Sequence, residues 1–211
     1  MRKIIIVGAG CVGGHIALNP ELYGIDKNAI IAFIDDDTEK QGKEIFGYPV
    51  IGSVSWILDK VDYEVIIGIA FPSIKRKVLD SISINKQLTF PALVAKNAWV
   101  SNGSLIGKGT IIYPGCAINY GTKIGDFIVM NMNCSIGHNC VIGNYTSLAP
   151  GVHFAGYTIV DDLVDIGIGV STKQNVKISY QSVIGGQSMI IHDIPPFSKV
   201  VGVPGRVINL K

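Results

Sequence analysis

Residues 124–150 read IGDFIVMNMNCSIGHNCVIGNYTSLAP, and a large aliphatic residue returns at every sixth place. Counted in sixes from Val94 to Ile190, seventeen positions are visited and sixteen are apolar, Thr172 being the exception. The positions four places after each, from Ala98 to Ser188, hold Ala, Ser, Thr, Cys or Val in fifteen of sixteen cases, with Ile128 the exception. A helix repeats at about 3.6 residues and a free strand at about 2, so a strict period of six describes short stacked strands joined by turns. That is a parallel β-helix. In it the aliphatic fills the interior, the small residue fits a crowded corner, and the glycine that often follows the aliphatic (Gly107, Gly125, Gly137, Gly143, Gly167, Gly185) marks a tight turn. Cys116, Cys134 and Cys140 all fall in the small-residue column and read as packing residues.

The first ninety residues carry a different pattern. KIIIV (3–7) suits a buried parallel strand and runs directly into GAGCVGG (8–14), which has the GxGxxG spacing at Gly8, Gly10 and Gly13. Such glycines let the backbone turn sharply and approach an anion at a helix N-terminus. A second run, AIIAFIDDD (29–37), ends in Asp35, Asp36 and Asp37, and Asp35 stands where a carboxylate would accept from ribose hydroxyls. Its plain alternative is a solvated turn, which fits Asp36 or Asp37. A third run, YEVIIGIA (63–70), precedes PSIKRKVLDSI (72–82), whose Ile74, Val78 and Ile82 lie about one helical turn apart. Three alternations make half a dinucleotide fold, so one nucleotide fits better than two. The expected organisation is α/β plus β: a Rossmann-like domain over 1–90 that binds a nucleotide sugar through Gly8, Gly10, Asp35 and Asp36, and a β-helix domain with a terminal tail over 91–211.

Bulk properties exclude several classes. The chain of 211 residues is 48% hydrophobic and 16% charged with 25 glycines, which indicates compact structure with many turns. Its net charge of +2 comes from 18 basic and 16 acidic residues without a Lys/Arg block, so nucleic acid is not expected as a partner. MRKIIIVGAG lacks the long apolar core of a signal peptide, and no apolar stretch approaches the roughly 20 residues that span a bilayer. The expectation is a cytoplasmic protein without membrane contact. Four cysteines without CxxC spacing fit a reduced compartment, and no metal site is expected.

The hexads IGKGTI (106–111), IGDFIV (124–129), IGHNCV (136–141) and IGNYTS (142–147), the terminal VGVPGRVI (201–208) and the Gly-rich unit before them resemble the hexapeptide-repeat sugar acetyltransferases. The likeness is to the group containing sialic acid O-acetyltransferases and bacterial nucleotide-aminosugar N-acetyltransferases. The resemblance implies a left-handed β-helix, a homotrimer, acetyl-CoA as donor and active sites between neighbouring subunits. It places Asn131 near the catalytic centre, Gly156 and Gly169 along the CoA groove, and Gly202, Pro204 and Arg206 in a terminal segment that contacts CoA. An arginine beside a CoA phosphate is physically sensible, because guanidinium pairs well with phosphate.

His138 sits two places after Ile136, in a column of mostly polar residues that faces outward. With three hexads to a coil, residues eighteen apart stack, so Tyr120 lies below His138 and Gly156 above it. Acyl transfer from a thioester needs a base for the attacking amine or hydroxyl, and imidazole suits that task near neutral pH. The alternative from residues alone is an ordinary surface histidine; the resemblance assigns the catalytic role to His138. Relatives carry an acidic residue after this histidine where the chain has Asn139, which can orient the imidazole but not balance its charge. Three further family histidines are replaced, by Ser147, by Ala95-Lys96 for a His-Pro pair, and by Val12 with His15 nearby. His153 and His192 read as structural or surface residues. Two competing classes stay open: a β-helix carbonic anhydrase, disfavoured for want of a histidine triad, and a non-catalytic nucleotide-binding scaffold trimer. Within acyl transfer, a sugar hydroxyl such as that of sialic acid competes with the amine of a nucleotide-linked aminosugar.

Overall fold

The protein is described here by a computed structural model covering residues 3–208. Met1 and Arg2 of the amino-terminal stretch, and residues 209–211 of the expected tail, lie outside the described residues. The chain folds as two compact units, one ending at Pro91 and the other beginning at Ala92.

In the first unit Ile4–Val7 forms the central strand of a three-stranded parallel sheet, flanked by Ile30–Ile34 and Glu64–Ile67. All four central residues are buried, as expected of a strand covered on both faces. Ile6 pairs with Phe33 on one side and Ile66 on the other. Helices Cys11–Leu18 and Pro72–Ile82 follow the first and third strands. The second helix buries a stripe other than the one its isoleucine and valine spacing marks. It buries Pro72, Lys75, Leu79 and Ile82, leaves Val78 half-buried, and turns Ile74 out to solvent. Steps of four residues overshoot a full turn by about 40° each, so Ile74, Val78 and Ile82 drift off one stripe; steps of three and four keep Pro72, Lys75, Leu79 and Ile82 on it.

The second unit holds seventeen two-residue strands from Leu93–Val94 to Met189–Ile190, three to a coil, in three parallel faces of six, six and five strands, the first of which grows to eight by the addition of Lys199–Val201 and Arg206–Val207. Partners are eighteen residues apart: Ile118 pairs with Ile136, and Ile136 with Phe154. From Ile112 onward the second residue of each strand points inward and is buried, which accounts for the aliphatic column. The small-residue column has a bonding function as well as a size limit. Thr122 Oγ1 donates to Gly137 O at 2.8 Å and accepts from the N–H of Cys140, while Cys134 Sγ donates to Ala149 O at 3.3 Å. These bonds tie each corner to the coil above.

The glycines after the aliphatics act differently from the turn role expected of them. The left-handed turn lies two places later, at Gly103, Gly109, Gly115 and Gly121 and then at residues such as Asn133, Asn139 and Tyr157. Gly137 is needed for proximity, since a Cβ there would come within 2.6 Å of the Gly156 nitrogen in the next coil. After Ile190 the period breaks. Ile178 bridges Ile194 and Ile184 pairs with Val200, a spacing of sixteen, so the last coil is two residues short. Lys199–Val201 ends the eight-stranded face, and Arg206–Val207 turns back antiparallel on it.

Candidate functional site

His138 lies at the corner between the strands Ser135–Ile136 and Val141–Ile142. At the following corner the matching column is a ladder in which each side chain satisfies the backbone below it: Asp162 Oδ1 accepts from Asn144 N–H at 2.7 Å, and Asn144 Oδ1 from Asp126 N–H at 2.8 Å. At the His138 corner aromatic rings replace that ladder. The imidazole stacks on Tyr120 with centroids 5.4 Å apart and planes within 9°, and Tyr157 meets it edge-on at 5.1 Å. On the side away from Tyr120 stands Gly156, where a Cβ would come within 2.7 Å of both Cε1 and Nε2 of His138. A bare glycine is thus a condition of the ring's position.

Asn139 holds the remaining edge. Its backbone adopts the left-handed conformation (φ 56°), which asparagine tolerates better than most residues, and its Nδ2 donates to His138 Nδ1 at 3.1 Å. Nε2 has no hydrogen-bond partner among the described residues. His138, Asn139 and Gly156 are therefore gathered at one corner, as expected. Tyr157 was not singled out from the sequence, although it stands eighteen residues after Asn139 and so directly above it. His153 and His192 are both exposed, and His153 opens the strand that leads into Gly156.

In the first unit a cleft of about 290 Å³ opens beside Gly8, Gly10 and Cys11, with Asp35 and Lys40 on one side and Ile69, Phe71 and Ile74 on the other. Gly8 has φ 95°, and a Cβ on Gly13 would lie 2.1 Å from Gly8 O, so these glycines serve the turn and the close helix packing. Gly10 caps the first helix with open space around its Cα. The Asp35 carboxylate is heavily engaged: Oδ2 accepts from Ala9 N–H at 2.9 Å and Lys40 Nζ at 3.0 Å, and Oδ1 from Asp37 N–H at 3.0 Å. Burial pushes its pKa up, but the N–H groups of Asp37 and Ala9 and the Lys40 ammonium outweigh that and hold it below the usual carboxylate range. Lys40 is raised, chiefly by its hydrogen bond to Asp35. Asp36 does not join the cleft; its Oδ1 accepts from Val54 N–H at 2.8 Å. His15 bonds Tyr23 at 2.9 Å, and burial lowers its pKa. Lys40 is the cleft residue the sequence reading missed, its only signal being a position five after Asp35.

Residues 3–82 match the PglD N-terminal domain family. Over 179 residues the chain is 30% identical to a GDP-perosamine N-acetyltransferase from Escherichia coli O157:H7, covering 81% of this chain and 78% of that protein. The chain belongs to the hexapeptide-repeat sugar acetyltransferases. Two solved structures share its whole fold. Caulobacter crescentus PerB, in complex with CoA and GDP-perosamine, superposes with a TM-score of 0.89 at 21% identity, covering 99% of this chain and 98% of that one. The acetyltransferase domain of Neisseria gonorrhoeae PglB, in complex with acetyl coenzyme A, gives 0.87 at 23% identity, with 98% and 99% covered. The solenoid is the left-handed β-helix of this family.

The remaining expected residues lie at a different corner of the β-helix from His138. Asn131 follows the strand Val129–Met130, and Gly169 stands between Asp165–Ile166 and Ser171–Thr172, both where the eight-stranded face turns into the six-stranded one. Gly202, Pro204 and Arg206 form the terminal turn, which joins this region through Gly202 O, acceptor from Met189 N–H at 3.1 Å. Arg206 is exposed. Among the described residues no three His, Cys, Asp or Glu side chains converge as a metal set, and no helix is long and apolar enough to cross a membrane.

Proposed function

We propose that this chain is a cytoplasmic homotrimeric enzyme that moves the acetyl group of acetyl-CoA to the amino group of a nucleotide-linked aminosugar, with His138 as general base. The observation that carries the reading is the His138 corner: an imidazole fixed by two tyrosines and Asn139, its Nε2 uncommitted and bordered by a glycine. The nucleotide lies in the cleft of the first unit beside Gly8, Gly10 and Asp35. A nucleotide-sugar acceptor is favoured over free sialic acid by that cleft and by the relatives whose names carry GDP-perosamine.

Acetyl-CoA supplies the activated acetyl thioester. His138 takes a proton at Nε2 from the amine as nitrogen bonds the carbonyl carbon, and returns that proton to the thiolate released when the C–S bond breaks. Acting this way requires a neutral ring with its proton on Nδ1. The Asn139 amide, turned by half a rotation so that Oδ1 accepts from Nδ1–H, selects that tautomer; with Nδ2 donating, the proton sits on Nε2 instead. Asn139 is a positioning residue.

The residues at the other corner fit CoA. Gly151 and Gly169 stack in successive coils; Gly151 has open space where a side chain would stand, while the Gln187 side chain covers Gly169, so the bare strip for an extended chain lies at Gly151. Arg206 offers a guanidinium for phosphate. Because one copy keeps this strip and His138 at different corners, the reading pairs the strip of one subunit with the His138 corner of its neighbour.

The test is thiol release from acetyl-CoA, followed with a thiol-reactive dye, against nucleotide-linked 4-aminosugars and free sialic acid. Turnover with a nucleotide aminosugar is expected. Turnover with sialic acid alone would move the reading to O-acetylation, and nucleotide binding with no turnover or CoA binding would move it to a scaffold.

A further inference from the structure

Asp35 is the residue a dinucleotide fold would turn toward ribose, and here it is occupied. A carboxylate has about four acceptor positions, and three are filled by Ala9 N–H, Asp37 N–H and Lys40 Nζ. A ribose diol, which offers two hydroxyls to one carboxylate, finds at most one position free. What Asp35 does is clamp: it joins the glycine loop at Ala9 to the end of the second strand and fixes the ammonium of Lys40 at the cleft.

The chemistry presented to a ligand is then that of Lys40. Its side chain is one-third exposed, its Nζ lies 3.0 Å from Asp35 and 3.6 Å from Asp37, and it lines the cleft facing the start of the first helix. An ammonium has three N–H donors, so the aspartates leave at least one for a ligand. The helix start adds backbone N–H groups with no side-chain cap and no acidic residue in the first turn. Among the described residues Asp35 is the one carboxylate lining the cleft, and Lys40 neutralises it. Without that neutralisation a phosphate would meet a bare anion.

We propose that Lys40 is the specificity residue of this cleft, masking Asp35 and donating to a phosphate, so that the site selects nucleoside diphosphates over nucleosides. The inference rests on reading the cleft as the nucleotide site. Its recognition is of the diphosphate by charge, with Phe71 and Ile74, both exposed on the opposite wall, offering an apolar surface to the base.

Titration calorimetry of the full chain with UDP and GDP, each beside its nucleoside, tests this. Wild-type protein should prefer one diphosphate over its nucleoside by about 10- to 100-fold, the range of a charge-assisted hydrogen bond. Lys40→Met should abolish or reverse the preference while leaving nucleoside affinity within about threefold, and Lys40→Arg should restore most of it. Asp35→Asn should weaken nucleoside and diphosphate together, because it loosens the loop itself, and wild-type protein should bind UDP and its 2′,3′-dideoxy counterpart within about threefold of each other; a dideoxy penalty of about tenfold or more that disappears in Asp35→Asn would return ribose recognition to Asp35 and overturn the proposal. Equal losses of nucleoside and diphosphate in Lys40→Met, or an unchanged preference, would also overturn it while leaving the cleft a nucleotide site. Failure of wild-type protein to bind any of the four ligands would remove both readings.

Discussion

The imidazole of His138 lies flat on the ring of Tyr120, centroids 5.4 Å apart and planes 9° from parallel. The stack is a direct product of the repeat: three hexads make a coil, so a side chain meets the one eighteen residues away. Rotation of the imidazole is blocked by Tyr120 beneath it and Tyr157 at its edge. If His138 is the base, His138→Ala should lower kcat by about 10²- to 10⁴-fold with the unfolding temperature unchanged. Tyr120→Ala should cost less, because Asn139 and Tyr157 still hold the ring. Near-normal kcat in a folded His138→Ala protein would remove the base.

Asn139→Asp should raise activity. The carboxylate can only accept, so it imposes the Nδ1–H tautomer and adds a charge that favours the imidazolium formed on proton transfer; the converse exchange in serine proteases costs about 10⁴-fold. Asp also tolerates the left-handed backbone at this position, whereas Asn139→Ala would add strain of about 1 kcal/mol or more. We expect kcat to increase at least about threefold in Asn139→Asp and the acid limb of the pH–rate profile to move. An unaltered profile would mean that Asn139 does not act through His138.

Legibility differed between the two units for a physical reason. In the β-helix every coil repeats the same packing problem, so Ile118, Ile136 and Phe154 declared themselves by period alone, and stacking by eighteen located Tyr120 and Gly156 around His138. The left-handed turns at Asn139 and Tyr157 stayed hidden because non-glycine residues fill more than half of that column, and the shortened last coil follows Ile190, where the period stops. In the first unit the glycine loop was visible, but the partners of Asp35 were not: Ala9 is 26 residues away, and hydrogen bonds across a loop leave no periodic trace. Ile74 falls outside the buried stripe for a different reason: steps of four drift about 40° each, and the face that is buried follows Pro72, Lys75, Leu79 and Ile82, one of them a lysine that hydrophobic spacing does not mark.

Gly156→Ala separates position from identity. The added methyl would start within 2.7 Å of Cε1 and Nε2, so the imidazole must move, while the backbone at Gly156 lies outside the left-handed region and accepts alanine. Displacement of a catalytic group by about 1 Å can cost about 10²-fold. We expect kcat to fall by that order with His138 still present and the protein still folded. A variant with full kcat would show that the ring's present position is not the reactive one.

The Asp35 clamp makes a prediction about acid stability. Its folded pKa is depressed, so its contribution is fully present above the unfolded carboxylate value of about 3.9 and is lost as pH falls through the lower folded value. Lys40, whose folded pKa is raised, contributes below its unfolded value of about 10.4 and loses that contribution above it. Between these limits the pair is intact. Asp35→Asn should therefore lower the unfolding temperature of the first unit by a constant amount from about pH 5 to pH 9, and the gap to wild type should close as pH drops below about 4. Thermal melts across that range read the gap directly. A gap that persists undiminished at pH 2 would mean that the carboxylate's charge is not what holds Ala9, Asp37 and Lys40 together.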